Sequence, residues 1–537
     1  MDFWDGLWLN EGFATWMSWY SCNVFYPEWK VWETYVIDNL QGALGLDSLR
    51  NSHPIEVPVK RADDINQIFD AISYEKGSSV LRMISKYLDE DTFIKGVRSY
   101  IKKHAYGNTQ TSDLWAALAA ASGKPVQEVM DVWTKNVGFP VISVTENRDT
   151  SSIKVKQNRF LRTGDVKPDE DTTIYPVMLG LRTKNGIDES SAMLTTREAE
   201  FKLPDLDFFK LNADHSGLYR VSYESGRLAK LGEAAKKGML TVEDRAGMVA
   251  DAGALAVPGY QHTSGLLSLL RNLGDEPEFV VWNEILARIG TIRAAWLFED
   301  AQTREALRVF QRSLVSQKAH ELGWHFSVDD DHVRQQFKAL VFGAAGMAGD
   351  PIVVKAARDM FDRFAAGDLT AIDPNIRGSV FTIVLKDGGE NEYNVVVDRF
   401  RNAATSDEST TALRCLGATK EPALIQRTLD FANGNEVRNQ DVYMPLGGLR
   451  GHAEGVEARW TWLKSNWDAL YARFPPALGM FSNIVQICAA GLSTEAQLED
   501  IRAFFAGKDT RVSISFLLFL FLFILFILFY FILFFFF

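Results

Sequence analysis

The hydrophobic period of this chain changes twice, and that constrains its fold more than any other feature. Up to about residue 140 the apolar residues recur at helical spacing. Val80, Leu81, Ile84, Tyr87 and Leu88 fall on one face of a 3.6-residue period. Asp113-Leu114-Trp115 opens a further helix, with Ser112 as its expected N-cap. From Val141 the period becomes two. Ile142, Val144, Ile153 and Val155 alternate with polar residues, and Ile174, Val177 and Leu179 continue in strand-like runs. Lys184-Asn185-Gly186 supplies an Asn-Gly hairpin turn, and Phe208 to Tyr223 closes the region with more β-type residues. From about Arg227 to Thr510 the helical pattern returns, in Ala- and Leu-rich stretches broken by turns such as Gly274-Asp275-Glu276-Pro277. The expected fold class is therefore α with a β insert: a helical region over 1–140, a small β-sandwich over 141–225, and an α-solenoid of stacked helix pairs over 226–510.

At 537 residues the chain is too long for one ordinary core, and 47% hydrophobic with 23% charged residues is the balance of a folded globular protein. A net charge of -12 repels phosphate backbones. With no Lys/Arg cluster to offset it, nucleic-acid binding is not expected. The three cysteines, Cys22, Cys415 and Cys488, are far apart and form no CxxC pair. They read as small buried apolar residues in a reducing compartment, so a cytoplasmic location is expected. The first residues, Met1-Asp2-Phe3-Trp4-Asp5, are not those of a signal peptide. Four tryptophans between Trp4 and Trp19 need apolar partners, as the middle of a domain would supply.

The chemistry rests on two motifs. Trp8-Leu9-Asn10-Glu11-Gly12-Phe13-Ala14 and Ile72-Ser73-Tyr74-Glu75-Lys76-Gly77-Ser78-Ser79-Val80-Leu81-Arg82-Met83 resemble segments of the gluzincin zinc aminopeptidases, the puromycin-sensitive aminopeptidase and aminopeptidase N family. Outside such a motif an acidic residue before glycine is nearly always a solvated surface group, and a helical tyrosine is a core-edge residue. The resemblance implies that Glu11 is the third zinc ligand, carried on the helix after an HExxH helix that supplies two histidines. It implies that Tyr74, 63 residues further on, is the catalytic tyrosine. That role has a physical basis, because a phenol can donate a hydrogen bond to the oxyanion formed when a zinc-bound water attacks a peptide carbonyl.

Further matches extend the resemblance to residues 1 to about 510. Trp133-Thr134-Lys135-Asn136-Val137-Gly138-Phe139-Pro140-Val141 looks like the end of a thermolysin-like catalytic domain. Leu211-Asn212 and Gly217-Leu218-Tyr219-Arg220-Val221-Ser222-Tyr223 look like the exit from the β-sandwich. Trp460-Thr461-Trp462, Asn466-Trp467 and Arg473-Phe474 look like the helical C-terminal domain. The implied activity is removal of N-terminal residues from peptides with a free N-terminus, with one zinc ion as cofactor.

The chain departs from the family pattern in one respect that matters. Only ten residues precede Glu11, and the 537 residues contain no HExxH. The two histidine ligands and the general-base glutamate are not among them, and neither is the family's GxMEN segment. His320-Glu321-Leu322-Gly323-Trp324-His325 is a decoy. Helical residues five apart are rotated about 140° off one face, so these two histidines do not converge on a metal. Catalytic zinc needs three protein ligands. The chain by itself is therefore expected neither to retain zinc nor to cleave peptides. The rival from another class is a peptide-binding scaffold whose helical domain persists without chemistry.

Residues 511–537 form a separate tail. Phe516 to Phe537 is an unbroken apolar run in which eleven of 22 residues are Phe. As a helix it would extend ~33 Å, enough for a bilayer core of ~30 Å. Codons for Phe, Leu and Ile share a central T, so the favoured reading is intron read-through in a gene model. A tail-anchored membrane protein is the alternative, and a membrane partner is expected only if this tail is real.

Overall fold

The computed structural model describes residues 4–60, 65, 67–188, 193–203, 205–474 and 479–508. The apolar tail therefore lies outside the described residues. The chain is α with a β insert, as its periodicity requires, and it divides into two compact units, Met1–Ile285 and Leu286–Phe537.

The first unit opens with α1 (Leu7–Phe25), α2 (Val31–Ile37) and α3 (Asn39–Asp47). Further along, a single π-helical turn, Ile72–Lys76, runs without a break into α4 (Gly77–Leu88). α5 (Glu90–Lys103), α6 (Thr111–Ser122) and α7 (Val126–Lys135) follow. The periodic face of α4 is buried as expected except for the half-buried Tyr87, and so is its other side, since every residue from Gly77 to Ser85 is buried. Its polar positions are accordingly paired. The Tyr35 hydroxyl lies 2.9 Å from Ser78 Oγ and 3.2 Å from Ser79 Oγ, and Asn39 Nδ2 donates to Ser78 Oγ at 2.8 Å. α6 starts earlier than its sequence suggests. Its N-cap is Gln110, not Ser112, because the Asp113 carboxylate accepts the Gln110 backbone N–H at 3.0 Å and so fixes the first turn two residues upstream.

The β region begins with β1 (Pro140–Asn147) paired antiparallel with β2 (Ser152–Arg159). The inward residues Ile142, Val144, Ile153 and Val155 are all buried. β3 (Val177–Met178), β4 (Leu181–Thr183), β5 (Gly186–Asp188), β6 (Met193–Leu194), β7 (Glu198–Lys202), β8 (Phe209–Lys210) and β9 (Arg220–Tyr223) complete it. The largest sheet has the order β7-β2-β1-β9, with β9 parallel to β1, beside sheets β5-β4-β8 and β3-β6. The Asn185-Gly186 hairpin joins β4 and β5, with Gly186 at φ +112°. Ile174 and Leu179 flank the two-residue strand β3 rather than lying within it. α8 (Ser225–Lys236), α9 (Val242–Ala256) and α10 (Thr263–Asn272) follow, and then α11 (Phe279–Ala295).

The second unit contains α12 (Ala301–Leu322), α13 (His332–Met347), α14 (Pro351–Ala365), α15 (Arg377–Asp387), α16 (Glu390–Arg401), α17 (Ser406–Cys415), α18 (Pro422–Asn433), α19 (Tyr443–Gly448), α20 (Ala453–Ser465), α21 (Trp467–Arg473), α22 (Met480–Ala489) and α23 (Glu495–Phe505). α13, α15, α17 and α19 pack each on the next, while α14, α16 and α18 pack on α15, α17 and α19. That is a row of helix pairs, the arrangement of a solenoid. The decoy histidines are structural. His320 sits in the last turn of α12 with Nε2 3.0 Å from Asp350 Oδ1, and His325 lies beyond the helix end at Gly323.

All three cysteines are free. Cys415 and Cys488 are buried, which pushes their thiols up to about 11 and about 12, whereas Cys22 is only half-buried, against expectation. Cys22 lies in the last turn of α1, where the helix runs out into the exposed Phe25 and Tyr26. Among the described residues no single helix is long and apolar enough to cross a membrane.

Candidate active site

α1 presents Glu11 because its tryptophans fix its rotation. Trp8 and Trp16 are fully buried. Trp8 Nε1 donates to Thr111 Oγ1 at 3.1 Å, and its ring lies 5.8 Å from Trp115. Trp16 stacks on Tyr20 at 5.0 Å and meets the edge of Phe93 at 4.9 Å. With that stripe turned into the core, Glu11 is left half-buried at its margin.

Tyr74 is placed by the π-turn. Lys76 N–H reaches back five residues to Ala71 O at 2.8 Å, widening the helix by one residue. The turn has its own N-terminal cap. Asp70 Oδ1 accepts the Ile72 N–H at 2.9 Å, and Asp70 Oδ2 lies 2.9 Å from His53 Nε2. Burial opposes protonation of His53, but the hydrogen bond and charge of Asp70 outweigh it and raise its pKa.

Two glycines let these elements meet. A Cβ on Gly12 would come within 3.0 Å of Gly77 Cα and 3.1 Å of Ser73 O, and one on Gly77 within 3.2 Å of Gly12 Cα. α1 and the π-turn therefore touch backbone to backbone. The result is that Tyr74 and Glu11, 63 apart in sequence, come close enough for the carboxylate to act on the phenol. The Tyr74 pKa is raised, by burial first and then by the neighbouring, negatively charged Glu11 carboxylate. Both sequence-predicted site residues thus fall in one place.

Neighbouring groups that sequence reasoning did not single out complete the surroundings. Glu75 packs its carboxylate against Gly42, and its pKa is raised by burial first and then by Asp70 and Asp38. Lys76 is wholly buried, 2.8 Å from the equally buried Asp47. Gly12, Gly77 and Lys76 stand inside the two motifs, so paired glycines beside the functional residues were the available signal. Asp47, Asp70 and His53 carried none.

The donor set next to Glu11 is one carboxylate and one phenol. Among the described residues no group of three or more His, Cys, Asp or Glu side chains could hold a metal ion. The residues of this chain do not by themselves fit a catalytic zinc, which takes three protein ligands. What they can do chemically is narrower: a phenol in the middle of a rigid turn can donate one hydrogen bond, and a carboxylate can accept one.

Residues 1–133 match the Peptidase family M1 domain and residues 208–514 match the ERAP1-like C-terminal domain. The chain belongs to the M1 aminopeptidase family. Among its relatives, Aminopeptidase 2 of Candida albicans is 54% identical over 513 residues, covering 95% of this chain and 55% of the relative. Aminopeptidase 2, mitochondrial, of Saccharomyces cerevisiae is 52% identical over 511 residues, covering 95% and 53%. Aminopeptidase M1 of Arabidopsis thaliana is 32% identical over 524 residues, covering 94% and 59%. The chain thus spans little more than half the length of these relatives.

Proposed function

We propose that this chain supplies the tyrosine and one metal ligand of a zinc aminopeptidase that removes N-terminal residues from peptides with a free N-terminus. The observation that carries the proposal is the meeting of Tyr74 and Glu11 through the Gly12–Gly77 contact. The names of the relatives support the same reading. Glu11 is the third zinc ligand and Tyr74 the donor that stabilises the tetrahedral oxyanion. The two imidazoles come from an HExxH segment that is not among these 537 residues. Residues 1–140 form the helical part of the catalytic domain, 141–225 the β-sandwich and 226–510 the solenoid. The three free cysteines favour a cytoplasmic setting.

The test joins the chain to the HExxH-bearing half of the Candida albicans relative and assays aminoacyl chromogenic substrates. Glu11→Ala should lose zinc and activity together. Tyr74→Phe should keep zinc and KM but lower kcat by roughly 10²–10³, the cost of one oxyanion donor. Zinc retained in the Glu11 variant, measured by elemental analysis, removes Glu11 from the site. Unchanged turnover in Tyr74→Phe removes Tyr74. Turnover by the 537-residue chain alone, with zinc added, would show that an HExxH segment is not needed.

A further inference from the structure

The tyrosine segment carries two buried cations, Lys76 and Arg82, and each docks on backbone carbonyls at one end of the β region. Arg82 Nη1 donates to His215 O at 2.7 Å and Nη2 to Asp214 O at 3.0 Å, while its guanidinium lies over the Trp32 and Tyr35 rings at 5.6 and 5.3 Å. Asp214 and His215 both have positive φ, at 52° and 47°. Arg82 therefore holds α4 to a strained turn just before β9.

Lys76 does the corresponding work before β1. Its side chain is fully buried. Its ammonium is ion-paired with Asp47 Oδ2 at 2.8 Å and donates to Gly138 O at 3.2 Å and Asn136 O at 3.4 Å. Asp47 is itself fixed, since its Oδ1 accepts from Ser52 Oγ at 2.8 Å and from the Gly138 N–H at 3.0 Å. The Tyr175 hydroxyl donates to the same Gly138 carbonyl at 2.9 Å. A buried ammonium without a partner is among the most costly groups in a protein, so this constellation admits one position for Lys76. Lys76 lies two residues after Tyr74, inside the same π-turn. A turn pinned at its last residue has little freedom at its third.

We propose that Lys76 is a positioning residue for Tyr74: held by Asp47 and the carbonyls of Asn136 and Gly138, it sets the phase of the π-turn and so the placement of the Tyr74 hydroxyl at Glu11. Its consequence for turnover rests on the aminopeptidase reading, but the geometric claim does not. The variant Lys76→Met/Asp47→Asn removes both charges together, so neither is left buried alone. A site-specific 3-fluorotyrosine at position 74 reports the hydroxyl's surroundings by ¹⁹F NMR in the 537-residue chain, with Glu11→Gln as the yardstick for a lost contact. The double variant should move the fluorine resonance as far as Glu11→Gln does, with far-UV circular dichroism unchanged. A resonance left at the wild-type position in the folded double variant overturns the proposal, and so does a wild-type resonance indifferent to Glu11→Gln. If the double variant does not fold, Lys76→Arg, which keeps a cation beside Asp47 but changes its reach and shape, is read by the same criterion.

The second arm uses the enzyme joined to the HExxH-bearing half of the relative. The double variant should lower kcat about 10- to 100-fold, as a small misplacement of a catalytic group does, with KM within about twofold and zinc unchanged. In a Tyr74→Phe background the same change should cost nothing further, because there is no hydroxyl left to position. A full additional loss in that background would make Lys76 merely structural and overturn the proposal. If no version of the joined enzyme turns over peptide, the aminopeptidase reading has failed, and the fluorine arm still decides the geometry.

Discussion

α1 and the π-turn meet at one contact but are held there by different physics. α1 is held by apolar area: Trp8 and Trp16, with rings from α5 and α6 around them. The turn is held by charge, through Lys76 on Asp47 at one end and the Asp70 cap, backed by His53, at the other. Apolar burial is large and non-directional, so it sets how firmly a helix sits. A paired buried charge adds less net stability but admits fewer geometries. The difference predicts that damage to α1 will register mainly as stability and damage to the turn mainly as position.

The largest effect expected on that basis is Trp8→Ala. The ring is fully buried, and its loss also leaves the buried Thr111 hydroxyl without its donor. The cost should be ~3–5 kcal/mol in urea unfolding of the chain. A loss below 1 kcal/mol would mean that apolar burial does not hold α1.

The next effect lies at the contact itself. Gly12→Ala would put a methyl 3.0 Å from the Gly77 backbone, which cannot move aside like a flexible side chain. Overpacking of this kind costs ~1–3 kcal/mol. Because it parts α1 from the turn, it should also bring the Tyr74 pKa down towards its ordinary value. Gly45→Ala on α3 is the control, with nothing within 4 Å of the new methyl. That change should stabilise by ~0.5–1 kcal/mol through the unfolded chain's lost freedom. Equal outcomes at the two glycines would dismiss the backbone contact.

Much of this was legible in the sequence, for a physical reason. Helical and strand periods are local, so the two changes near residues 140 and 227 fixed the α, β, α order. Glu11 and Tyr74 were legible because each stands in a dense motif. The sequence did not tell that α4 would be buried on both sides, since Ser78, Ser79 and Arg82 look like a solvent face until Tyr35, Asn39 and the His215 carbonyl come to meet them. Nor was Asp47 legible, because its partner lies 29 residues away across a loop and no local pattern pairs them.

Glu33 on α2 shows what a buried charge does when its partners are inadequate. Burial pushes its carboxyl up to about 7; Lys30, 3.7 Å away, pulls the other way, and Glu243 and Glu278 add to the rise. With the folded pKa above the unfolded one, the folded state binds the extra proton between about pH 4.5 and 7. Stability therefore falls as pH rises through that window, and the cost stays in full above it. Glu33→Gln should match the wild type in Tm at pH 4 and exceed it by a few degrees at pH 8. A wild-type advantage at pH 8 would show that Lys30 satisfies Glu33 after all, and that close pairing is not what distinguishes Lys76.

The smallest effect belongs to the cap of the tyrosine turn. His53 has its Nε2 on Asp70 and its Nδ1 2.8 Å from Pro54 O, so the protonated ring donates twice. Its folded pKa is raised above the ordinary 6.5 despite burial, because Asp70 favours the imidazolium. The sign follows. The stabilisation is complete below the unfolded pKa and is lost as pH rises through the higher folded value. The pair is partly exposed, with side chains 23% and 28% accessible, so the gain should be below ~1 kcal/mol. His53→Gln should lower Tm slightly at pH 5.5 and not at all at pH 9. The position of Tyr74, read by the same fluorine probe, should shift less than in any Lys76 variant, because Asp70 still receives the Ile72 N–H without the imidazole. If His53→Gln displaced Tyr74 as far as loss of the Lys76 pair, the turn would be governed from its N-terminal cap, and the contrast between closely and loosely paired buried charge would no longer explain where the hydroxyl sits.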